Sequence, residues 1–134
     1  MKKKCLLLAF AALCWSGSAS LWAADFDGSK PLLCATVDAH ACDAGEVCIR
    51  GLPAELGVPQ FLRIDFARKM VVGKERTTPI RLIDAGQRQT LLQGAEFGFA
   101  WTIALDRTDG TMTGSLVNSQ DAYVLFGACT PDKP

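Results

Sequence analysis

Histidine is almost missing from this chain of 134 residues: His40 is the only one. A nucleophile-and-base site built on imidazole would have to use it, and no Gly-x-Ser-x-Gly elbow accompanies it. His40 therefore reads as a solvated loop residue, and no catalytic residue is assigned. A C-x-x-C pair is absent as well, which removes the haem-attachment and redox motifs. An excess of charge of either sign is lacking too, with 14 basic residues against 14 acidic. The N-terminal apolar run, Cys5 to Trp15, has about 11 residues where a membrane-crossing helix needs about 20, so a transmembrane anchor is not expected.

What the N-terminus does have is an order. Lys2, Lys3 and Lys4 precede the apolar run, and Ser16, Gly17, Ser18, Ala19 and Ser20 follow it. Basic, apolar and small-residue regions in that sequence form a secretory signal peptide. Cleavage is expected after Ala23, giving a signal over 1–23, with Ala19 as the alternative site. Cys14 could be read as a lipoprotein cysteine, but Leu13 stands before it where a small residue is wanted, so lipid anchoring is not expected. The mature chain then has about 111 residues, one ordinary domain. Three of the 14 basic residues leave with the signal, so 11 face 14 acidic ones, a net charge of about −3. Charge and compartment both disfavour a nucleic-acid partner, and the expected location is the periplasm or the exterior.

Of six cysteines, four remain after cleavage: Cys34, Cys42, Cys48 and Cys129. An even number in an oxidising compartment predicts disulfides, in any of three pairings. A bridge to Cys129 closes a loop of roughly 80 to 95 residues and would stabilise by about 4 kcal/mol on the chain-entropy account. The rival reading is zinc held in the run Cys34-x5-His40-x-Cys42-x5-Cys48, but structural zinc sites bring ligands in close pairs, and none exists here. Neither a metal nor a cofactor is expected.

Residues 24–60 show little periodicity and are broken by Pro31, Pro53 and Pro59, so they read as an irregular, disulfide-tied arm with one helical turn at Pro53 to Leu56 ending at Gly57. From Phe61 onward, short alternating runs are separated by turn residues. Leu62, Ile64 and Phe66 share one face; Thr77 to Ile83 reads as a single strand; and Phe99, Trp101, Ile103 and Leu105 alternate with smaller residues. Asp109-Gly110 is a hairpin signal, and Thr111 to Val117 turns Met112 and Leu116 inward. The sum is an all-β fold: an antiparallel up-and-down meander of about seven strands over 61–134, curled into a small barrel or half-barrel and forming one domain with the arm.

Several segments carry a likeness: Leu52-Pro53, Pro59 to Phe66, Leu92-Gln93-Gly94, Trp101 to Asp106, Gly110 to Thr113 and Phe126 to Thr130. Over most of the mature chain, from about Cys34 to Thr130, the sequence resembles a group of small exported proteobacterial proteins with four cysteines. The resemblance implies size, compartment and cysteine content, and it implies no activity.

Three groups of residues remain as carriers of function. Asp65, Asp84 and Asp106 each close an apolar run and could pair as acid and base in a hydrolase, although Asp sits at strand ends for turn chemistry alone. Arg68, Lys69, Lys74 and Arg76 gather around the first hairpin, offset by Glu75, and could meet an anionic surface or simply protect an edge. Phe97, Phe99, Trp101, Tyr123 and Phe126 supply most of the aromatic mass and form either the core or, if the barrel is too wide to fill, an apolar ligand pocket built on Phe99, Trp101 and Tyr123. The expected function is a non-enzymatic periplasmic binding or interaction domain. Its partner would be a periplasmic protein, such as a secreted hydrolase that it inhibits, or a small apolar ligand carried in the barrel.

Overall fold

The computed structural model describes residues 25–133; the expected signal peptide and Cys14 lie outside them. The described residues form ten strands: β1 (Leu32–Asp43), β2 (Ile49–Gly51), β3 (Phe61–Asp65), β4 (Met70–Gly73), β5 (Thr77–Pro79), β6 (Leu82–Ala85), β7 (Gln89–Glu96), β8 (Phe99–Asp106), β9 (Thr111–Val117) and β10 (Asp121–Pro131). They make one antiparallel sheet in the order β5-β4-β3-β1-β10-β9-β8-β7-β6, with β2 paired to β1 off that path. From β3 to β10 every consecutive pair except β5 and β6 is hydrogen-bonded, which is the expected meander.

The two ends of that path are consecutive in sequence, and this is how the sheet curls round into a half-barrel. Thr77–Pro79 pairs with β4, and Leu82–Ala85 pairs with β7. Between them the Ile80 N–H donates to the Lys69 carbonyl at 2.9 Å and the Arg81 N–H to the Gln93 carbonyl at 2.8 Å, so the chain hands over from one edge to the other within two residues. The single strand expected over Thr77 to Ile83 is therefore two. The handover also shifts the alternation: Ile80 is buried while Leu82 is exposed and Ile83 half-buried.

The stretch 24–60 is tied in by disulfides, but Leu32–Asp43 is not irregular. It is a strand of 12 residues that joins the two halves of the meander, with β3 and β10 as neighbours. Its inward residues, Leu32, Cys34, Thr36 and Ala39, include small and polar ones, and a bulge between Thr36 and Asp38 shifts the alternation midway. No two-residue period runs through such a strand, so tertiary pairing decides it. The single turn expected near Pro53 is present: the Leu56 N–H donates to the Leu52 carbonyl at 3.2 Å, and Gly57 follows at φ +70°. Cys34 pairs with Cys129, pinning β1 to β10, and Cys42 with Cys48, closing the β1–β2 connection.

One end of the barrel is filled. Leu32, Ile64, Leu92 and Leu105 are fully buried there, each contributing about 1.5–3 kcal/mol. Phe26 packs against this core and lies so close to Gly110 that a Cβ there would sit 2.4 Å from its ring. Among the described residues, no helix is long and apolar enough to cross a membrane.

Candidate functional site

The other end of the barrel is open. A cavity of about 820 Å³ enters the sheet between the β4–β5 turn, the β7–β8 turn and the 54–60 segment. Its deep wall is aliphatic: Leu62, Val71, Ile103, Met112 and Leu125 are all buried. That volume falls within the range of roughly 300–1,000 Å³ typical of small-molecule pockets.

Phe99, Trp101 and Tyr123, the sequence-derived pocket residues, all line the cavity. Phe99 and Trp101 are on the inward face of β8, and the Phe99 and Tyr123 rings meet at 6.1 Å between centroids. Trp101 lies flat against β7 over Gly94, and its indole N–H donates to Thr78 Oγ1 at 3.4 Å. The indole is thereby held against one wall by its edge and one face. Phe97 stands on the rim, three-quarters exposed, with the Arg76 guanidinium 4.2 Å from its ring centroid. Phe126 is on the outer wall instead, edge-on to His40 at 6.0 Å.

Other contributors were hidden in the sequence. Leu56 and Val58 come from the stretch read as irregular and form part of the wall, with Thr36 Oγ1 donating to the carbonyls of Pro59 and Gln60 beneath them. Gly114, inward on β9 between Met112 and Leu116, leaves room that a side chain would take. The only sequence signal for it was a glycine inside a strand, which marks a place where something approaches closely or space is kept.

The structure separates the basic residues that the sequence placed together. Arg68 and Lys69 belong to the β3–β4 turn, whereas Lys74 and Arg76 lie across β4 at the cavity rim. The length of β4 runs between the pairs, so they do not make one anionic-surface patch. Two of the three strand-end carboxylates, Asp65 and Asp106, are bound up in turns, while Asp84 is exposed on β6. Asp65 accepts from the Arg68 N–H at 3.0 Å and from Arg63 at 3.2 Å, and Asp106 accepts from the Thr108 N–H at 2.6 Å. Asp65 is held below the ordinary carboxyl value of 3.8, chiefly by the Arg68 N–H and then by Arg63. Cys34, Cys42 and Cys48 are consumed by disulfides, which leaves His40 without the thiolates a zinc site there would need. His40 sits 4.0 Å from Asp38, whose carboxylate takes Arg50 at 2.9 Å. Among the described residues, no group of three His, Cys, Asp or Glu side chains is placed to hold a metal.

Compared with known proteins, the chain matches no family, no curated protein and no solved structure.

Proposed function

We propose that this is an exported, periplasmic binding protein without catalytic activity, and that it holds a small apolar molecule inside its barrel. The observation that carries the reading is the open, aliphatic cavity with the indole of Trp101 laid along its wall. A barrel of this size ordinarily fills its interior with side chains, and here one end is filled while the other is not. Two disulfides fit an oxidising compartment. The basic, apolar and small-residue order of the N-terminus and the resemblance to small exported proteobacterial proteins support the periplasm in particular. Engagement of Asp65 and Asp106 in turn hydrogen bonds argues against the hydrolase alternative.

The test is uptake of Nile red, a neutral apolar dye, by the protein purified from the periplasm, compared with Gly114→Leu. A Cβ at Gly114 meets nothing closer than 3.5 Å and the position lines the cavity, so a side chain begun there takes up cavity space. Dye uptake by the native protein that is lost in a folded Gly114→Leu variant supports the reading. No uptake, or uptake indifferent to Gly114→Leu, sinks it.

A further inference from the structure

We propose that the ligand is an aliphatic chain ending in a single anionic group, with the chain along Trp101 and the head between Lys74 and Arg76 at the rim. This rests on the apolar-pocket reading above and adds the chemical class of the ligand.

The interior sets the body of the ligand. Cavity-lining positions run from Phe99 to Ile103 on β8 and from Met112 to Leu116 on β9, a depth of roughly 13 Å at strand spacing. Along that depth the polar side-chain atoms are few, and Thr78 Oγ1 is already engaged by the Trp101 indole. A ligand with polar groups along its length would surrender hydrogen bonds to water and recover almost none. An aliphatic chain surrenders nothing.

The rim sets the head. The β4–β5 turn and the β7–β8 turn place Lys74, Glu75, Arg76, Glu96 and Phe97 around one opening. Lys30, Arg50 and Arg63 each hold an aspartate, whereas among the described ion pairs Lys74 and Arg76 take no carboxylate partner, although Glu75 and Glu96 share their rim. The Phe97 ring supports the Arg76 guanidinium by its face, leaving the N–H edge free, and that planar fork matches a carboxylate or phosphate edge. With Glu75 and Glu96 beside them the rim carries no net charge, so the head would be recognised by local contact with Lys74 and Arg76.

The backbone supplies an independent observation. Phe97 has φ +48° and Gly98 φ +82°, so the β7–β8 connection is a two-residue turn with both residues left-handed. Asn-Gly or Asp-Gly is the relaxed choice for such a turn. Keeping an exposed phenylalanine at a strained position on a pocket rim points to a task for its ring.

The experiment titrates the periplasmic protein with laurate, lysophosphatidylglycerol, dodecanol and dodecyltrimethylammonium, following Trp101 fluorescence. The expected result is that an anionic probe binds about tenfold tighter than dodecanol, as a charge-assisted hydrogen bond confers. The laurate-to-dodecanol ratio should fall to about one in Lys74→Gln, Arg76→Gln. Affinity for shorter carboxylates should fall about fourfold per methylene removed. Whichever of laurate and lysophosphatidylglycerol binds more tightly identifies the source as a free acid or a lysolipid, and either supports the proposal. Equal binding of laurate and dodecanol, or tightest binding of dodecyltrimethylammonium, overturns the anionic head while the apolar pocket stands. Binding of no probe, together with no Nile red uptake, overturns both.

Discussion

Trp101 and Gly94 face each other across the β7–β8 ladder, and the indole occupies the place a side chain on Gly94 would need: a Cβ there would sit 2.2 Å from Cζ2. The same Cβ would meet the Pro79 carbonyl oxygen at 2.8 Å, where β5 lies alongside β7 to close the barrel. Gly94→Ala therefore forces both the pocket wall and the barrel seam to move. The expected cost is about 1–3 kcal/mol in urea unfolding, together with loss of Nile red uptake. Gly114→Ala, whose Cβ would make only ordinary contact at 3.5 Å, should remain within about 0.5 kcal/mol of the native protein. Equal stability of the two alanine variants would show that Trp101 is free to leave Gly94.

Thr90 is 2% exposed, and among the described residues its hydroxyl has no hydrogen-bond partner. A buried, unpaired hydroxyl carries its desolvation cost of about 1–3 kcal/mol without return, and valine keeps the branched shape. Thr90→Val should raise the urea midpoint by the equivalent of about 1 kcal/mol. A fall in stability would mean that the hydroxyl is satisfied in solution.

Strands with a clean period of two were legible in the sequence. Phe99, Trp101, Ile103 and Leu105 are inward as their alternation requires, and Phe99, Trp101 and Tyr123 meet at one cavity. β1 was not legible, because Thr36 and Ala39 carry little apolar signal and the bulge beside Val37 breaks the alternation. The split between β5 and β6 was hidden for a related reason. Ile80 and Leu82 alternate in sequence, but the handover between sheet edges puts them in different environments. Lys74 and Arg76 reach the rim only because four residues of β4 carry them away from Arg68 and Lys69, a separation that charge clustering along the chain cannot express.

The two disulfides differ in access. Cys34 and Cys129 are buried, at 0% and 7% exposure, whereas Cys48 is exposed at the short β1–β2 connection. Mild reductant on the folded protein should free two alkylatable thiols, at Cys42 and Cys48, and the other two only after denaturation. The links also differ in the loop they close, with sequence separations of 95 and 6. Serine at both Cys42 and Cys48 should cost about 2 kcal/mol, and alanine at both Cys34 and Cys129 about 4 kcal/mol or more. Peptide mapping that finds Cys34 alkylated first would contradict the buried placement of β1.

Acid should weaken the fold through Asp65. Its carboxyl value is lowered in the folded state, so the ionised form stabilises: the contribution is complete above the unfolded value of 3.8 and is lost as pH falls through the lower folded value. Asp27, Asp38 and Asp109 are lowered as well and act in the same direction. The urea midpoint should decline as pH falls below about 4, and Asp65→Asn should flatten part of that decline. An unchanged profile in Asp65→Asn would remove Asp65 from the account.

Phe97 and Lys69 form a matched pair for separating strain from function. Both are non-glycine residues at positive φ, +48° and +54°, in turns bordering different ends of the barrel strands. The left-handed conformation costs an ordinary L-residue about 1–2 kcal/mol, and asparagine adopts it more readily. Lys69→Asn should raise the melting temperature and leave laurate affinity alone, since Lys69 does not line the cavity. Phe97→Asn should also relieve strain, less about 0.5–1 kcal/mol for the lost stacking with Arg76. It should lower laurate affinity, because Arg76 loses the ring that holds its fork over the opening. A Phe97→Asn protein that is more stable and binds laurate as well as before would reduce Phe97 to an unrelaxed turn residue.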